Sequence, residues 1–322
     1  MAELRFEKWH GTGNDFVMLE DWGGEIELTP DLVAALCDRH FGVGADGLIR
    51  VAGPDVAARE GLDAAGTDVF MDYRNADGSP AEMCGNGVRC LATLARERGL
   101  VGGTELSVAT RAGTKHVWID VDDAGHLRQV TVDMGPPAFA LGDIPMAGPA
   151  DATFLAEPFE HGGVSYKASA VSMGNPHLVL FVEEDPELVD VHRIGPRIEH
   201  DPRFPRKTNV EFVAPAADGI KLRVWERGVG ETMACGTGAC ASLVAANLAG
   251  LTPRRAAIHF PGGTLHGQWT EEGTVLLTGS AVKSFEGTVD PVSLVRGAAQ
   301  GVRGPHERGR KAEGGRRSEA ER

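Results

Sequence analysis

Met83-Cys84-Gly85-Asn86-Gly87 leads into a helix-like run from Val88 to Arg98, and Ala234-Cys235-Gly236-Thr237-Gly238 leads into another, from Ala239 to Leu248. The same Cys-Gly-polar-Gly order thus occurs at positions 84 and 235, a spacing of 151. Two further signals recur in the same order. Gly174-Asn175-Pro176-His177-Leu178-Val179 parallels Gly13-Asn14-Asp15-Phe16-Val17-Met18 at a shift of 161, and Gly113-Thr114 returns as Gly263-Thr264 at a shift of 150. Three ordered matches at nearly one shift indicate an internal duplication. A repeat of that length is too long for a solenoid unit, so each half is expected to be a folded α/β domain, with a ligand cleft between the two.

The totals agree with that division. A chain of 322 residues accommodates two domains of roughly 150 each. Hydrophobic residues at 42% and charged residues at 24% are ordinary for a globular protein. A formal charge of −14 opposes binding to a phosphate backbone, so nucleic acid is not an expected partner. The absence of a long apolar run and of a signal pattern leads to the expectation of a cytoplasmic protein that does not span a membrane. The basic tail, 300–322, has no large apolar residues in its Gly/Arg/Glu-rich part and is expected to be disordered. Five cysteines, an odd set, are expected to be thiols at rest.

Along the chain, residues 4–20 show a β-hairpin pattern around Gly11-Thr12-Gly13. Thr29-Pro30-Asp31 opens a helix expected to end at Arg39-His40. A strand follows Phe41–Gly47, residues 53–67 read as a surface loop, and strands are expected at Val69–Arg74, Glu105–Thr110, Lys115–Val121 and Gln129–Met134. Gly135-Pro136-Pro137 starts a crossover reaching about Pro158. The expected division is 1–134 for the half carrying Cys84 and 135–280 for the half carrying Cys235.

A cysteine at a helix start has a reason to react. Unpaired N–H groups and the positive end of the helix dipole stabilise a thiolate, lowering its pKa from about 8.5. The same N–H groups can hold a carboxylate. Two such turns face to face place the α-carbon of a bound amino acid between two sulfurs. One thiolate then removes the α-proton while the other thiol protonates the opposite face, and no organic cofactor or metal is required. A single Cys-Gly turn would more simply be a buried structural thiol; its duplication favours the reactive reading. A four-thiolate zinc site fits poorly, because Cys84/Cys90 and Cys235/Cys240 are spaced too widely for zinc pairs, and Cys90 and Cys240 point away along their helices. These two and Cys37 are expected in the core.

Asn14, Asn75, Asn175 and Asn209 lie in or beside expected turns, where asparagine also serves turn geometry alone. Glu226-Arg227 follows the strand Ile220–Trp225 and offers either a surface ion pair or a cation and an acceptor for a zwitterionic substrate. His177 is either a core histidine or a neighbour tuning a cysteine.

Taken together, Lys8-Trp9-His10-Gly11-Thr12-Gly13-Asn14-Asp15-Phe16, Asn75-Ala76-Asp77-Gly78-Ser79, Met83–Cys90, Ser172–His177, Trp225–Gly228 and Ala234–Cys240 resemble the diaminopimelate epimerases, over about residues 4–290. The resemblance implies an α/β fold of two pseudosymmetric domains, each a β-barrel-like sheet around a central helix. The segment 281–292 would return to complete the first domain. It implies that Cys84 and Cys235 are the acid/base pair, and that Gly85, Asn86, Gly236 and Thr237 offer donors to the substrate's α-carboxylate. Asn14, Asn75, Asn175, Asn209 and Arg227 would hold the distal amino acid end, with Glu226 and His177 close to the reacting amino group and thiols. The implied reaction is interconversion of LL- and meso-2,6-diaminopimelate, in lysine and peptidoglycan precursor synthesis, by a cytoplasmic homodimer without cofactor.

One departure stands inside the pattern: some members of that family carry Gln where Gly47 stands here, so any role of that side chain is absent or supplied elsewhere. Competing readings fit less well. Proline racemase-like proteins typically have His where Asn86 stands, and phenazine-type isomerases lack both cysteines. A non-catalytic amino-acid-binding or thiol redox-sensing module is the remaining alternative.

Overall fold

The computed structural model describes residues 3–301; most of the tail expected at 300–322 lies outside the described residues. In chain order the elements are β1 (Leu4–Gly11), β2 (Asn14–Glu20), α1 (Pro30–Cys37), β3 (Gly47–Ala52), α2 (Pro54–Arg59), β4 (Val69–Asn75), α3 (Gly85–Glu97), β5 (Glu105–Ala109), β6 (Lys115–Val121) and β7 (Leu127–Asp133). There follow β8 (Glu157–His161), β9 (Val164–Ser172), β10 (Pro176–Phe181), α4 (Val191–Glu199), β11 (Asn209–Ala216), β12 (Gly219–Glu226), β13 (Gly230–Thr232), α5 (Gly236–Leu248), β14 (Arg255–Phe260), β15 (Gly263–Trp269), β16 (Val275–Gly279), β17 (Val282–Val289) and α6 (Pro291–Gly301).

The duplication is written in the strand pairings. In the first half β1 and β2 are antiparallel, β2 and β3 parallel, β3 and β4 antiparallel, β4 and β5 parallel, and β5, β6 and β7 antiparallel in turn. In the second half β9 to β12 and β14 to β16 repeat that alternation step for step. Parallel neighbours need a crossover, and helices supply it at matching places: α1 and α4 in one crossover, α3 and α5 in the other. β7 pairs with β16, joining the halves in one continuous ladder. β17 runs antiparallel to β1, so the end of the chain adds to the first half, as β8 adds to β9 in the second.

The sequence explains why α3 and α5 are central. α5 is Ala, Gly, Cys, Ser, Val and Leu on nearly every face, and an all-round apolar helix is a buried helix. It and α3 are buried over most of their length, inside one core that also takes in Trp9, Phe16, Ile49, Val132, Val224 and Leu277. α1 begins as expected: the Thr29 hydroxyl accepts from the Leu32 N–H at 3.2 Å, with Pro30 in the first turn. It stops at Cys37, two residues short of the expected end. Asp38 is extended there, and its carboxylate takes the N–H groups of His40 and Phe41 instead.

The stretch 53–67 differs from the expected loop, because Gly53-Pro54 starts a short helix, α2, whose Val56 and Ala57 are buried. Proline in the first turn has its φ preset for helix, which offsets the weak propensities around it.

Candidate active site

Both cysteines of the repeated turn are helix N-caps with extended backbone: Cys84 caps α3 and Cys235 caps α5. The two helix ends meet. A Cβ placed on Gly236 would stand 3.5 Å from the Gly85 Cα, so only glycine backbone separates the two N-termini at this point. Val88 N–H bonds the Cys84 carbonyl at 2.8 Å and Ala239 N–H bonds that of Cys235 at 2.9 Å. The amides before them in each helix have no partner in the helix ladder, so each end is a donor-rich anion site.

Around Cys84 the first half builds a chain of amides. The Asn14 carbonyl oxygen, Oδ1, accepts from Cys84 Sγ at 3.4 Å and from Asn86 Nδ2 at 3.2 Å. Asn86 Nδ2 also reaches the Ala234 carbonyl at 3.4 Å, a bond between the halves. Asn14 Nδ2 donates to Asp46 at 2.7 Å, and Asp46 and Asp15 share Arg39, while Asp15 also pairs with Lys8 at 2.7 Å.

Around Cys235 the second half does otherwise. Gly238 N–H donates to Cys235 Sγ at 3.4 Å, and the Thr237 hydroxyl lies 3.5 Å from the same sulfur. Asn175 Nδ2 donates to Thr237 Oγ1 at 3.3 Å, and Asn175 Oδ1 faces His177 Nε2 at 3.0 Å. His177 Nδ1 is 2.6 Å from Glu211 Oε1, and neither residue has any exposure.

The residues singled out in the sequence divide into two groups. Asn14, Cys84, Gly85, Asn86, Asn175, His177, Cys235, Gly236 and Thr237 come together at the paired helix ends through the bonds and backbone contact above. Glu226, whose carboxylate bonds the Thr232 hydroxyl, acts electrostatically on both thiols. Asn209 is buried with its amide engaged by the Pro176 carbonyl and the Arg227 N–H, both at 2.8 Å, so it anchors the turn that carries Arg227. Arg227 and Asn75 are exposed; Asn75 bonds Ser79 within its own turn, and the Arg227 guanidinium donates to the Arg206 carbonyl at 3.4 Å.

The expectation of lowered thiol pKa values is overturned by the surroundings. Burial pushes Cys84 up to about 11, with the charge of Glu226 adding to the rise and the Gly87 and Asn86 amides opposing it. Burial and then Glu226 raise Cys235 well above the ordinary thiol value, against the Thr237 hydroxyl and the Gly238 amide. Helix-end donors are present, but burial outweighs them. Burial also raises Glu226.

Three residues of the site escaped the sequence reading. Arg89, fully buried on α3, donates to Asn86 Oδ1 at 2.8 Å, Thr12 Oγ1 at 3.2 Å and the carbonyls of Ser280 and Gly85 at 3.2 and 3.4 Å, which fixes the orientation of the Asn86 amide. Glu211 is the second. Tyr73 is the third: a Cβ on Gly47 would meet its ring at 2.7 Å and stand 3.3 Å from its hydroxyl, so Tyr73 fills the space a side chain at position 47 would claim.

Cys37, Cys90 and Cys240 are buried free thiols. Among the described residues, no helix is long and apolar enough to cross a membrane.

A family model described as diaminopimelate epimerase matches residues 6–140 and 169–284. A diaminopimelate epimerase of Pelotomaculum thermopropionicum is 46% identical over 287 residues, covering 88% of this chain and 98% of that protein. One of Thioalkalivibrio sulfidiphilus is 44% identical over 290 residues, covering 89% and 99%. Among solved structures, a probable proline racemase from Agrobacterium radiobacter superposes with a TM-score of 0.64 at 15% identity, covering 89% of this chain and 93% of that one. A PhzF-family phenazine biosynthesis protein of Bacillus anthracis gives 0.63 at 17%, covering 90% and 100%. These structures share the fold.

Proposed function

The chain belongs to the diaminopimelate epimerase family, and from that membership we infer that it interconverts LL- and meso-2,6-diaminopimelate. We propose that Cys84 and Cys235 perform the proton transfer. The observation that carries this reading is the close approach of two helix N-termini, each capped by a cysteine, at Gly85 and Gly236, where a Cβ on Gly236 would reach to 3.5 Å from the Gly85 Cα.

The α-carboxylate sits across the amides of Gly85, Asn86, Gly236 and Thr237, which stabilise it as charge moves onto it during carbanion formation. One sulfur, as thiolate, takes the α-proton; the other, as thiol, gives its proton to the opposite face of the same carbon. The C–H bond broken and the C–H bond formed leave the substrate's composition unchanged, and the two sulfurs exchange protonation states. The substrate ammonium group and the amides offset the raised thiol pKa values once water is displaced. Glu226 and His177 lie close to the reacting amino group. Asn14, Asn75 and Asn175 help hold the distal amino acid end, and Arg227, anchored by Asn209, supplies the cation for its carboxylate. A cytoplasmic homodimer that feeds lysine and peptidoglycan precursor synthesis belongs to the same reading.

The test is proton exchange. Reduced protein incubated with LL-diaminopimelate in deuterated water incorporates deuterium at one α-carbon as the meso isomer forms; folded, reduced protein that catalyses no exchange is not an epimerase of this substrate.

A further inference from the structure

The duplicated halves back their cysteines with different chemistry. The parallel pairings place Phe16 opposite Gly47 in the first half and His177 opposite Asn209 in the second, so Phe16 and His177 are equivalent, and two residues on along the partner strands Ile49 and Glu211 are equivalent. The glycines of the cysteine turns confirm the match. A Cβ on Gly87 would strike Ile49 Cδ1 at 2.7 Å, and one on Gly238 would strike Glu211 Oε1 at 2.8 Å. Behind Cys84 lies an apolar Phe/Ile pair; behind Cys235, in the same place and with no exposure, lies an ionisable His/Glu pair.

The hydrogen-bond directions in that pair are constrained from one end. Asn175 Nδ2 is turned to Thr237 Oγ1, so Asn175 Oδ1, an acceptor only, faces His177 Nε2. His177 Nε2 must then carry hydrogen. A neutral imidazole with hydrogen on Nε2 has a bare Nδ1, which at 2.6 Å from Glu211 Oε1 requires a proton between the two. Either the imidazole is charged against a carboxylate, or the neutral ring accepts from a carboxylic acid; in both cases the pair holds one proton and is neutral overall. Among the described residues Glu211 Oε2 has no partner, which disfavours a lone charge at that position. The other ionisable groups facing Glu211 are Cys235, at the cap of α5, and Glu226, at the end of β12.

We propose that Glu211 is a positioning residue: by keeping a proton on the His177 edge that faces Asn175, it fixes the Asn175 amide and turns the Thr237 hydroxyl onto the Cys235 sulfur. Since Thr237 Oγ1 already accepts from Asn175, its own hydrogen is free to donate to a Cys235 thiolate. Remove Glu211 and His177 can carry its hydrogen on Nδ1, the Asn175 amide turns over to donate to Nε2, and Thr237 donates to Asn175 instead. Cys84, whose sulfur faces the acceptor Asn14 Oδ1, has no such device. The proposal deepens the two-thiol reading by making the two thiols inequivalent.

The test uses no substrate. Iodoacetamide alkylation of Cys84 and Cys235, followed at each site by peptide mass spectrometry, is compared among the wild-type protein, Glu211→Ile and Glu211→Gln. Isoleucine copies the first half. Losing one donor to the thiolate is expected to slow Cys235 relative to Cys84 about tenfold, one pKa unit. Glutamine can donate its amide N–H to Nδ1 and keeps the wild-type ratio. An unchanged ratio in folded Glu211→Ile, or an equal fall in Glu211→Gln, overturns the proposal. Should the isoleucine variant not fold, nitrogen-15 NMR of the wild-type protein decides: His177 Nε2 protonated at neutral pH is expected, and a bare Nε2 overturns it. These measurements stand or fall apart from the deuterium exchange that tests the epimerase assignment.

Discussion

Gly85 and Gly236, 151 positions apart in sequence, face each other at the head of two buried helices, with space between them for little more than a methyl group. A Cβ on Gly236 fits at ordinary contact distance, 3.5 Å from Gly85 Cα and 3.6 Å from Leu277 Cδ2, but there is no room for the branches of a larger side chain. Gly236→Val is therefore expected to wedge the helix ends apart, at a cost of about 1–3 kcal/mol. Epimerase activity should fall far more than stability, because Gly85 and Gly236 directly follow the two cysteine caps. Activity and urea midpoint measured together check this; a variant with normal turnover would show that the contact is incidental.

Equivalent glycines give unequal outcomes. Gly87→Ala presses on the methyl ends of Ile49 and Met71, both at 2.7 Å, which can give way. Gly238→Ala presses at 2.8 Å on the Glu211 carboxyl oxygen that holds His177. The second substitution is expected to lower kcat more than the first at similar loss of stability. Equal kcat values would remove the asymmetry between the halves.

Raised thiol pKa values set the sign of the pH dependence. The reactive form is the thiolate, and burial followed by the Glu226 charge moves Cys84 up to about 11. At neutral pH Cys84 is mostly protonated, so its alkylation in substrate-free protein should climb about tenfold per pH unit and level near that value. Glu226→Gln removes the charge and should shift the plateau down. A plateau already reached at neutral pH would contradict the burial argument.

Arg89 is a buried cation held by three oxygens besides Asn86, none of them a carboxylate. Arg89→Met leaves those acceptors without their donor and frees the Asn86 amide. The expected loss is about 1–3 kcal/mol, read as a lower urea midpoint, with weaker substrate binding read as a higher KM. An unchanged midpoint would mean the acceptors find other donors.

How much of this was legible depended on whether a residue announced its surroundings. The cysteine turns did, because a Cys-Gly-polar-Gly step before an apolar run has few uses, and its recurrence with the Gly-Asn turns at Asn14 and Asn175 exposed the duplication. Glu211 did not: within Val210-Glu211-Phe212 it reads as the outward member of an alternating strand, yet all three are buried because β11 is covered on both faces. Arg89 reads as the wet side of a helix that in fact has no wet side for most of its length. Helix α2 was hidden by the Gly, Ala and Asp around it, and Tyr73 by the need to know which strand lies beside Gly47. The thiol pKa direction was misread for a related cause: helix-end donors are visible in a sequence, and burial is not.

The central claim is that Cys84 and Cys235 act as one pair on one carbon. Cys84→Ala and Cys235→Ala, each confirmed folded by circular dichroism, should be assayed for conversion of LL- to meso-diaminopimelate. Loss of turnover in both variants is the predicted result; near-normal turnover in either would remove that cysteine from the reaction and contradict the account.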